Sequence, residues 1–491
     1  MRCWRPDEDQ YNLVSAIAGR QEKDPEARIA LMAVGDDDQA VYGFRGADVA
    51  FIRRFRDDYN ADVHHLLENY RSSGAIVEAA ATVIATNRGR MKEGQALSVN
   101  KARARLHPGG RWHALDPAGR GRVRILSVEG AAHQIGAALA EVRRLRALDP
   151  ETDWSDFAVL AHIRAELVPF QALCEREGVP ANPDFAADGK AFSLHRLREV
   201  VTMLDRLRER SSRVDGAWLR TQADAARAAL GPSPWWAVVD HLLDAWDREY
   251  GRAEAEPEAA HETFYEALAQ MRREHPPAKG LFLGTLHGAK SMEFRHVVLL
   301  DGGWTWAKAE DKREEERRLF YVGMTRARET LCMMRRADVR HPHLPLPDGL
   351  DLDRARAEGD GRANQALLNR NHSVLGLGQL FIDFAGRCGP DDPLHRALAA
   401  LRPGDPVRFE TVRRGKQVAV LVRGPDGTVI AKLAKDAVAM TWHRLVPSVE
   451  QARVLAVVRC YRSDATPEWR DTLHLDNWDI PIIEVWTRAA R

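Results

Sequence analysis

Several features are missing from this 491-residue chain, and each absence removes a class of function. There is no CxxC pair. The five cysteines, Cys3, Cys174, Cys332, Cys388 and Cys460, are scattered and odd in number. That argues against a zinc site or a disulfide framework and fits free thiols in a reducing compartment. No apolar run is long enough to span a bilayer and no secretory signal opens the sequence, so the expected location is cytoplasmic. A large net charge is absent too, with 72 Lys+Arg against 71 Asp+Glu. No global field draws the chain onto nucleic acid, so any such contact must come from local basic patches. A phosphate-cradling loop of the form GxxxxGK[ST] is also lacking. Gly189-Lys190 is followed by Ala191 and Gly415-Lys416 by Gln417, and neither has a glycine at the required earlier position. Gly288-Ala289-Lys290-Ser291 does not match either. The backbone cradle and its lysine on the terminal phosphate are not supplied in that form.

What is present is the composition of an ordinary soluble α/β protein, 45% apolar and 29% charged, with length for about three domains. The organising stretch is Leu31 to Ala47, LMAVGDDDQAVYGFRGA. It reads as a short strand over Leu31–Val34, an acidic turn at Gly35–Asp38, then Gln39, the aromatic pair Tyr42 and Phe44, and Arg45. A strand ending in Gly-Asp puts polar groups at the carboxyl edge of a sheet, where α/β proteins bind ligands. Gln39 donates and accepts at once, which suits it to sense a phosphate or a water. Tyr42 and Phe44 offer flat faces for unpaired bases.

That stretch resembles the GDxxQxIYxFRGA signature of superfamily-1 DNA helicases of the UvrD/Rep type. Three more stretches follow in family order: LLENYRS (66–72), TLHGAKSMEF (285–294) and EEERRLFYVGMTRAR (314–328). The resemblance implies RecA-like parallel sheets of the P-loop NTPase type, ATP and Mg²⁺ as cofactors, and single-stranded DNA and duplex–single-strand junctions as partners. It implies an ATP-dependent 3′–5′ DNA helicase acting in repair or recombination. Phosphate-sensing roles fall to Gln39, Arg71 and Arg326, the last as the arginine finger, with Glu293 holding the nucleotide. DNA contact falls to Tyr42, Phe44, Arg45, Thr285, His287 and Lys290. Independently of family, Arg71 precedes a helix expected from Ser72 or Ser73 to about Asn87. A cation there is disfavoured by the helix dipole, which points to an anionic partner. Ser291 stands where the family usually has glycine, a departure that bears on close backbone approach.

The family's acidic DExQD motif is not found. Its acids would fall near Met1 and Arg2, and Asp7–Asp9 read instead as the acidic first turn of a helix over 10–19. Two explanations compete. The chain is the C-terminal part of a helicase whose first motor half lies upstream, or it is a non-catalytic single-strand-binding or scaffold subunit. In either case the chain alone is expected not to hydrolyse ATP and to bind no metal, and its partner is the missing N-terminal motor half or a repair protein.

The expected organisation is a remnant of a first RecA-like domain at 1–62, with a helix over 48–60, and a second such domain in two parts, 63–189 and 280–340. A helical accessory insertion separates those parts at 190–279. A polar linker follows at 341–373, then a small β-rich module at 374–491, with a turn at Pro425-Asp426-Gly427. Strands are expected at Val63–Leu67, 122–127, 157–161, 281–284, 296–300 and 331–334, and a helix after Thr285 carrying Lys290 and Glu293. The cations between 88 and 122 either follow a phosphate backbone or belong to a solvated loop. The tryptophans of the insertion read as core, while Trp304 and Trp306 either pack the cleft or stack on bases.

Overall fold

The structure, a computed structural model, describes residues 8–489 apart from 23, 25, 27, 42, 44–49, 96, 184–191, 275–279, 345, 415–416, 435–436 and 466. Tyr42, Phe44 and Arg45 therefore lie outside the described residues. The chain divides into two compact units, one formed by 1–184 and 279–368, the other by 185–278 and 369–491.

The first unit is built on a seven-stranded sheet. Its order is Ala181–Pro183, Leu281–Thr285, Phe157–Ala161, Phe294–Leu299, Ala327–Arg336, Val123–Val128 and Leu352–Arg356, and each described neighbour pair is parallel. The interior strand FAVLA, Phe157–Ala161, is buried at every position. Such an unbroken apolar run is what a parallel strand needs when helices cover both faces. The helices Ala131–Leu148 and Arg164–Arg176 supply crossovers. This is the mixed α/β architecture with a large parallel sheet that the sequence pointed to.

Two expected strands do not form. Leu31–Val34 and Val63–Leu67 carry no ladder, and the pairing in that region is a two-residue parallel bridge, Glu68–Asn69 with Ser98–Val99. A run apolar on both faces needs partners along both edges, and none of the described strands lies beside these. Met32 and Leu66 are accordingly 79% and 83% exposed. The helix over 48–60 does form, as Ala50–Tyr59, with Phe55 buried and Phe51 stacked on Tyr11. The helix expected after Thr285 does not: residues 286–291 are a turn, because the chain re-enters the sheet at Phe294. The polar stretch 341–373 contains the edge strand Leu352–Arg356, whose Asp353 pairs with Arg124 at 2.9 Å.

In the second unit, four helices, Arg198–Arg208, Gly216–Leu230, Trp236–Glu249 and Pro257–Glu274, share one apolar cluster with the C-terminal strands. The insertion and the β-rich segment are thus joined by a common core. The strands form two three-stranded antiparallel sheets: Arg370–Leu375, Asn477–Arg488 and Val449–Tyr461 in one, Arg408–Arg414, Gln417–Arg423 and Val429–Lys432 in the other. The expected turn closes at Gly427 (φ +84°), with Asp426 accepting from Thr428 N at 2.9 Å. Trp236 and Trp246 are core residues, and Trp218 and Trp235 pack against the same cluster. Arg198, 3% exposed, joins the two segments: its guanidinium donates to the carbonyls of Leu398, Ala399 and Leu401, capping the C-terminus of the helix Pro393–Ala400.

Candidate nucleotide-phosphate site

The acidic turn is the first component. Asp36 caps a single 3₁₀ turn, Asp37–Gln39, by accepting from Asp38 N at 3.2 Å. Its other oxygen accepts from Gln39 Nε2 at 2.6 Å. An amide donating to a carboxylate has its nitrogen committed, so Asp36 sets which way the Gln39 side chain faces. The turn is locked by cations from 90–92. Arg90 is bidentate on the buried Asp38 at 2.7 and 2.6 Å, Lys92 reaches Asp36 at 2.7 Å, and Met91 N donates to Asp37 at 2.6 Å. Asp36, Asp37 and Asp38 cluster closely enough to suggest a divalent cation. Their oxygens already serve these donors, so the residues present do not fit Mg²⁺ there.

This settles part of the 88–122 question. Arg90 and Lys92 hold the acidic turn, Arg103 donates to the Arg71 carbonyl, and Arg111 pairs with Asp149 and Glu329. These cations are occupied within the unit and do not form a continuous phosphate track.

The second component is the pair Arg71 and Glu293, joined through Arg71 Nε and Glu293 Oε2 at 2.5 Å with both side chains part-exposed. Asn69 Oδ1 accepts from the backbone nitrogens of Arg71 and Ser72, forming the turn that presents Arg71. Ser73 occupies the N-cap position of the helix Gly74–Ile84 but makes no capping bond. Ser72 Oγ donates instead to the Ala327 carbonyl at 2.7 Å, and Ser73 N to the Arg328 carbonyl at 2.9 Å. These serines tie the Arg71 turn to the strand beginning at Ala327.

That strand follows Arg326, the third component. Arg326 is 1% exposed, and each of its nitrogens donates: Nε to the Val322 carbonyl at 2.8 Å, Nη1 to the Met292 carbonyl at 2.9 Å, Nη2 to Thr325 Oγ1 at 3.1 Å. All three acceptors are neutral. Burial, and then the nearby Arg71 charge, push the guanidinium down to about 10. Arg71, whose charge disfavours that of Arg326, is itself paired with Glu293. The helix Glu310–Met324, which Arg326 follows, packs on the Asp37–Gln39 turn, and the Glu293 and Asp36 charges both act on Arg326.

The remaining expected residues sit at the carboxyl end of the strand Leu281–Thr285. Thr285 Oγ1 accepts from Gly288 N at 3.1 Å and shapes the turn that carries His287 and Lys290. Burial, then the proximity of His162, lower the His287 pKa, and its ring bonds to the Val41 backbone. Trp304 packs rather than stands free: His162 stacks on it at 4.4 Å, and His341 and His343 lie against it at 5.0 and 5.3 Å. Trp306 is 52% exposed beneath the Arg340 guanidinium at 4.0 Å.

Sequence reasoning missed Asp36, Arg90 and Lys92 as the frame around Gln39, and Met292 and Thr325 as holders of Arg326. The three consecutive aspartates were the available signal for the first group. Ser291, at the family's glycine position, has φ +78°, so the left-handed turn is kept without the glycine.

Arg71 and Arg326 are thus both held by Met292–Glu293, while Gln39 is oriented by Asp36. Residues 6–60 match the UvrD/REP helicase N-terminal domain and residues 248–337 the UvrD-like helicase C-terminal domain. ATP-dependent DNA helicase UvrD2 of Mycobacterium tuberculosis is 29% identical over 328 residues, covering 62% of this chain and 43% of that protein. DNA helicase II of Escherichia coli is 42% identical over 83 residues, 17% of this chain and 11% of that one. A probable DNA helicase II homolog of Rickettsia conorii is 28% identical over 386 residues, 61% of this chain and 56% of its own. A solved C-terminal domain of a possible DNA helicase from a Lactobacillus covers 59% of this chain and 99% of its own at 13% identity and a TM-score of 0.26, too slight a likeness to add to the fold described above. By these matches the chain is similar to the UvrD/Rep-type helicases. It spans 43% of the Mycobacterium tuberculosis relative's length. No helix among the described residues is long and apolar enough to cross a membrane.

Proposed function

We propose that the chain supplies the phosphate-sensing and DNA-contacting side of an ATP-dependent 3′–5′ DNA helicase that moves on single-stranded DNA in repair or recombination. The observation that carries this reading is that Arg71 and Arg326 are held by the successive residues Glu293 and Met292. Arg71 and Arg326 would meet the terminal phosphate of ATP, Gln39 the adjacent oxygen or water, and Glu293 the nucleoside. An arginine so placed stabilises charge on the transferring group and is worth ~10³–10⁵ in rate in the best cases. The residues present fit the phosphates of a nucleotide but not Mg²⁺, and the lysine-bearing cradle is absent from the 491 residues. Thr285, His287 and Lys290, on one turn at the sheet's carboxyl edge, would contact DNA phosphates, with Tyr42, Phe44 and Arg45 as base and backbone contacts.

Steady-state ATP hydrolysis by the purified chain, with and without single-stranded DNA, tests the reading, with Arg326→Ala as control. The expected result is no turnover by the chain alone, and turnover that depends on Arg326 once a polypeptide carrying GxxxxGK[ST] is added. Turnover by the chain alone that survives Arg326→Ala would refute it. The alternative, a non-catalytic single-strand-binding or scaffold subunit, predicts DNA binding indifferent to any such addition.

A further inference from the structure

Two successive residues of one turn hold both phosphate-sensing arginines. Glu293 accepts from Arg71 Nε at 2.5 Å, and the Met292 carbonyl accepts from Arg326 Nη1 at 2.9 Å. The residue before them, Ser291, is in the left-handed region at φ +78°, a conformation that fixes where the next two residues point. The residue after them, Phe294, donates its N–H to the Arg326 carbonyl at 2.9 Å. Arg326 is therefore bound to this turn through its side chain and its backbone, and a shift of the turn is transmitted to it directly.

The two grips differ in strength. The Arg71–Glu293 pair is part-exposed, and such pairs are readily exchanged. Arg326 is buried against neutral acceptors only. A carboxylate offers two oxygens and one charge. A phosphate terminus offers three oxygens and more charge, and it competes well for a guanidinium.

Resting on the nucleotide reading above, we propose that Ser291–Glu293 is a latch. The Glu293 carboxylate stands in for the terminal phosphate of a polyphosphate, and its displacement from Arg71 shifts the Met292 carbonyl and frees the Arg326 guanidinium for the same anion. Ser291 and Met292 are positioning residues in this device. Glu293 is a competitor of the ligand before it is a contact to it. The class of ligand is a polyphosphate, recognised by its terminus whether or not a nucleoside is attached.

The test is per-residue labelling of the 491-residue chain with phenylglyoxal, which modifies accessible guanidinium groups, read by peptide mass spectrometry. Wild type and Glu293→Gln are compared with and without tripolyphosphate, alongside calorimetric binding of tripolyphosphate and circular dichroism to confirm folding. In Glu293→Gln, Arg71 labelling rises about two- to five-fold, the range an exposed pair commands. Arg326 labelling rises with it, and tripolyphosphate binds more tightly by a similar factor. In wild type, tripolyphosphate protects both arginines. Ser291→Val, a β-branched residue that resists φ +78°, raises labelling of both arginines without touching either charge. Arg71 labelling that rises while Arg326 stays at its wild-type level, with tripolyphosphate still protecting, overturns the latch and leaves the nucleotide reading standing. Failure of both tripolyphosphate and ATP to protect either arginine in any variant overturns the nucleotide reading, and with it the ligand assigned to the latch.

Discussion

Arg90 grips both oxygens of Asp38, at 2.7 and 2.6 Å, and Asp38 has no exposed surface. Removing one partner of a buried pair leaves an uncompensated charge and costs ~3–5 kcal/mol. Lys92, at 3.5 Å from the same carboxylate, softens the loss. Arg90→Met is therefore expected to lower unfolding free energy in urea by about 3 kcal/mol, with Asp38→Asn/Arg90→Met less affected than the single variant. A double variant as unstable as the sum of the two singles would show that the pair is not coupled.

Ser291 at φ +78° carries a strain that glycine lacks. The left-handed region costs an L-residue roughly 1–2 kcal/mol, and glycine's extra unfolded-state freedom takes back roughly 0.5–1. Ser291→Gly is expected to stabilise the chain by about 0.5–1 kcal/mol, seen as a higher thermal midpoint. A lower midpoint would mean that the Ser291 side chain makes a contact worth more than the strain.

Three histidines, His296 and His341 buried and His343 half-buried, set a pH dependence. Burial lowers His296 to about 4 and His341 and His343 to about 3. Their unfolded values are near 6.5, so on acidification the unfolded chain takes up protons first. Stability is full above about pH 6.5 and falls as pH drops toward the folded values, by up to ~1.4 kcal/mol per pH unit for each histidine. Urea unfolding between pH 7 and pH 4 should show this slope, and His343→Phe should flatten it. A profile level down to pH 4 would contradict the burial of these rings.

Arg198 donates to three carbonyls at the end of the helix Pro393–Ala400. Burial lowers its pKa, and the charge is held there by these acceptors, by Asp479 at 4.0 Å and by the nearby Glu199 carboxylate. Arg198→Ala takes one donor from each of these carbonyls, which keep bonds from Leu401 N or Arg402, and is expected to cost about 1–3 kcal/mol. Arg198→Lys should not rescue it, since an ammonium cannot span the three acceptors. Rescue by lysine would indicate that charge alone matters.

Much of the first unit was legible in the sequence because parallel strands announce themselves as unbroken apolar runs. Phe157–Ala161 and Leu281–Thr285 fell where expected, and Ala327–Arg336 extended the short run at 331–334. The same rule misfired at Leu31–Val34, where the run is equally apolar but has no described strand to bond to. The edge strand Leu352–Arg356 was hidden for the opposite reason: it alternates charge, and its arginines and Asp353 are satisfied by ion pairs rather than by apolar cover. At the site, the family resemblance of the motifs pointed to Arg71, Glu293 and Arg326. It could not show that Glu293 is bound to Arg71 or that Met292 contributes a carbonyl, because backbone acceptors leave no mark in a residue alphabet.

The core shared by the helical insertion and the C-terminal strands has a consequence for how the chain is made. Residues 279–368, which belong to the other unit, must be synthesised between its two halves. At the usual pace of translation, about 5–20 residues per second, the four helices wait several seconds or more for the strands that complete their core. During that interval the helices have only one another to cover Leu204, Leu242, Trp246 and Phe264. A ribosome pausing within 279–368 would lengthen that wait, just as a pause within 185–278 would delay the strands that complete the parallel sheet.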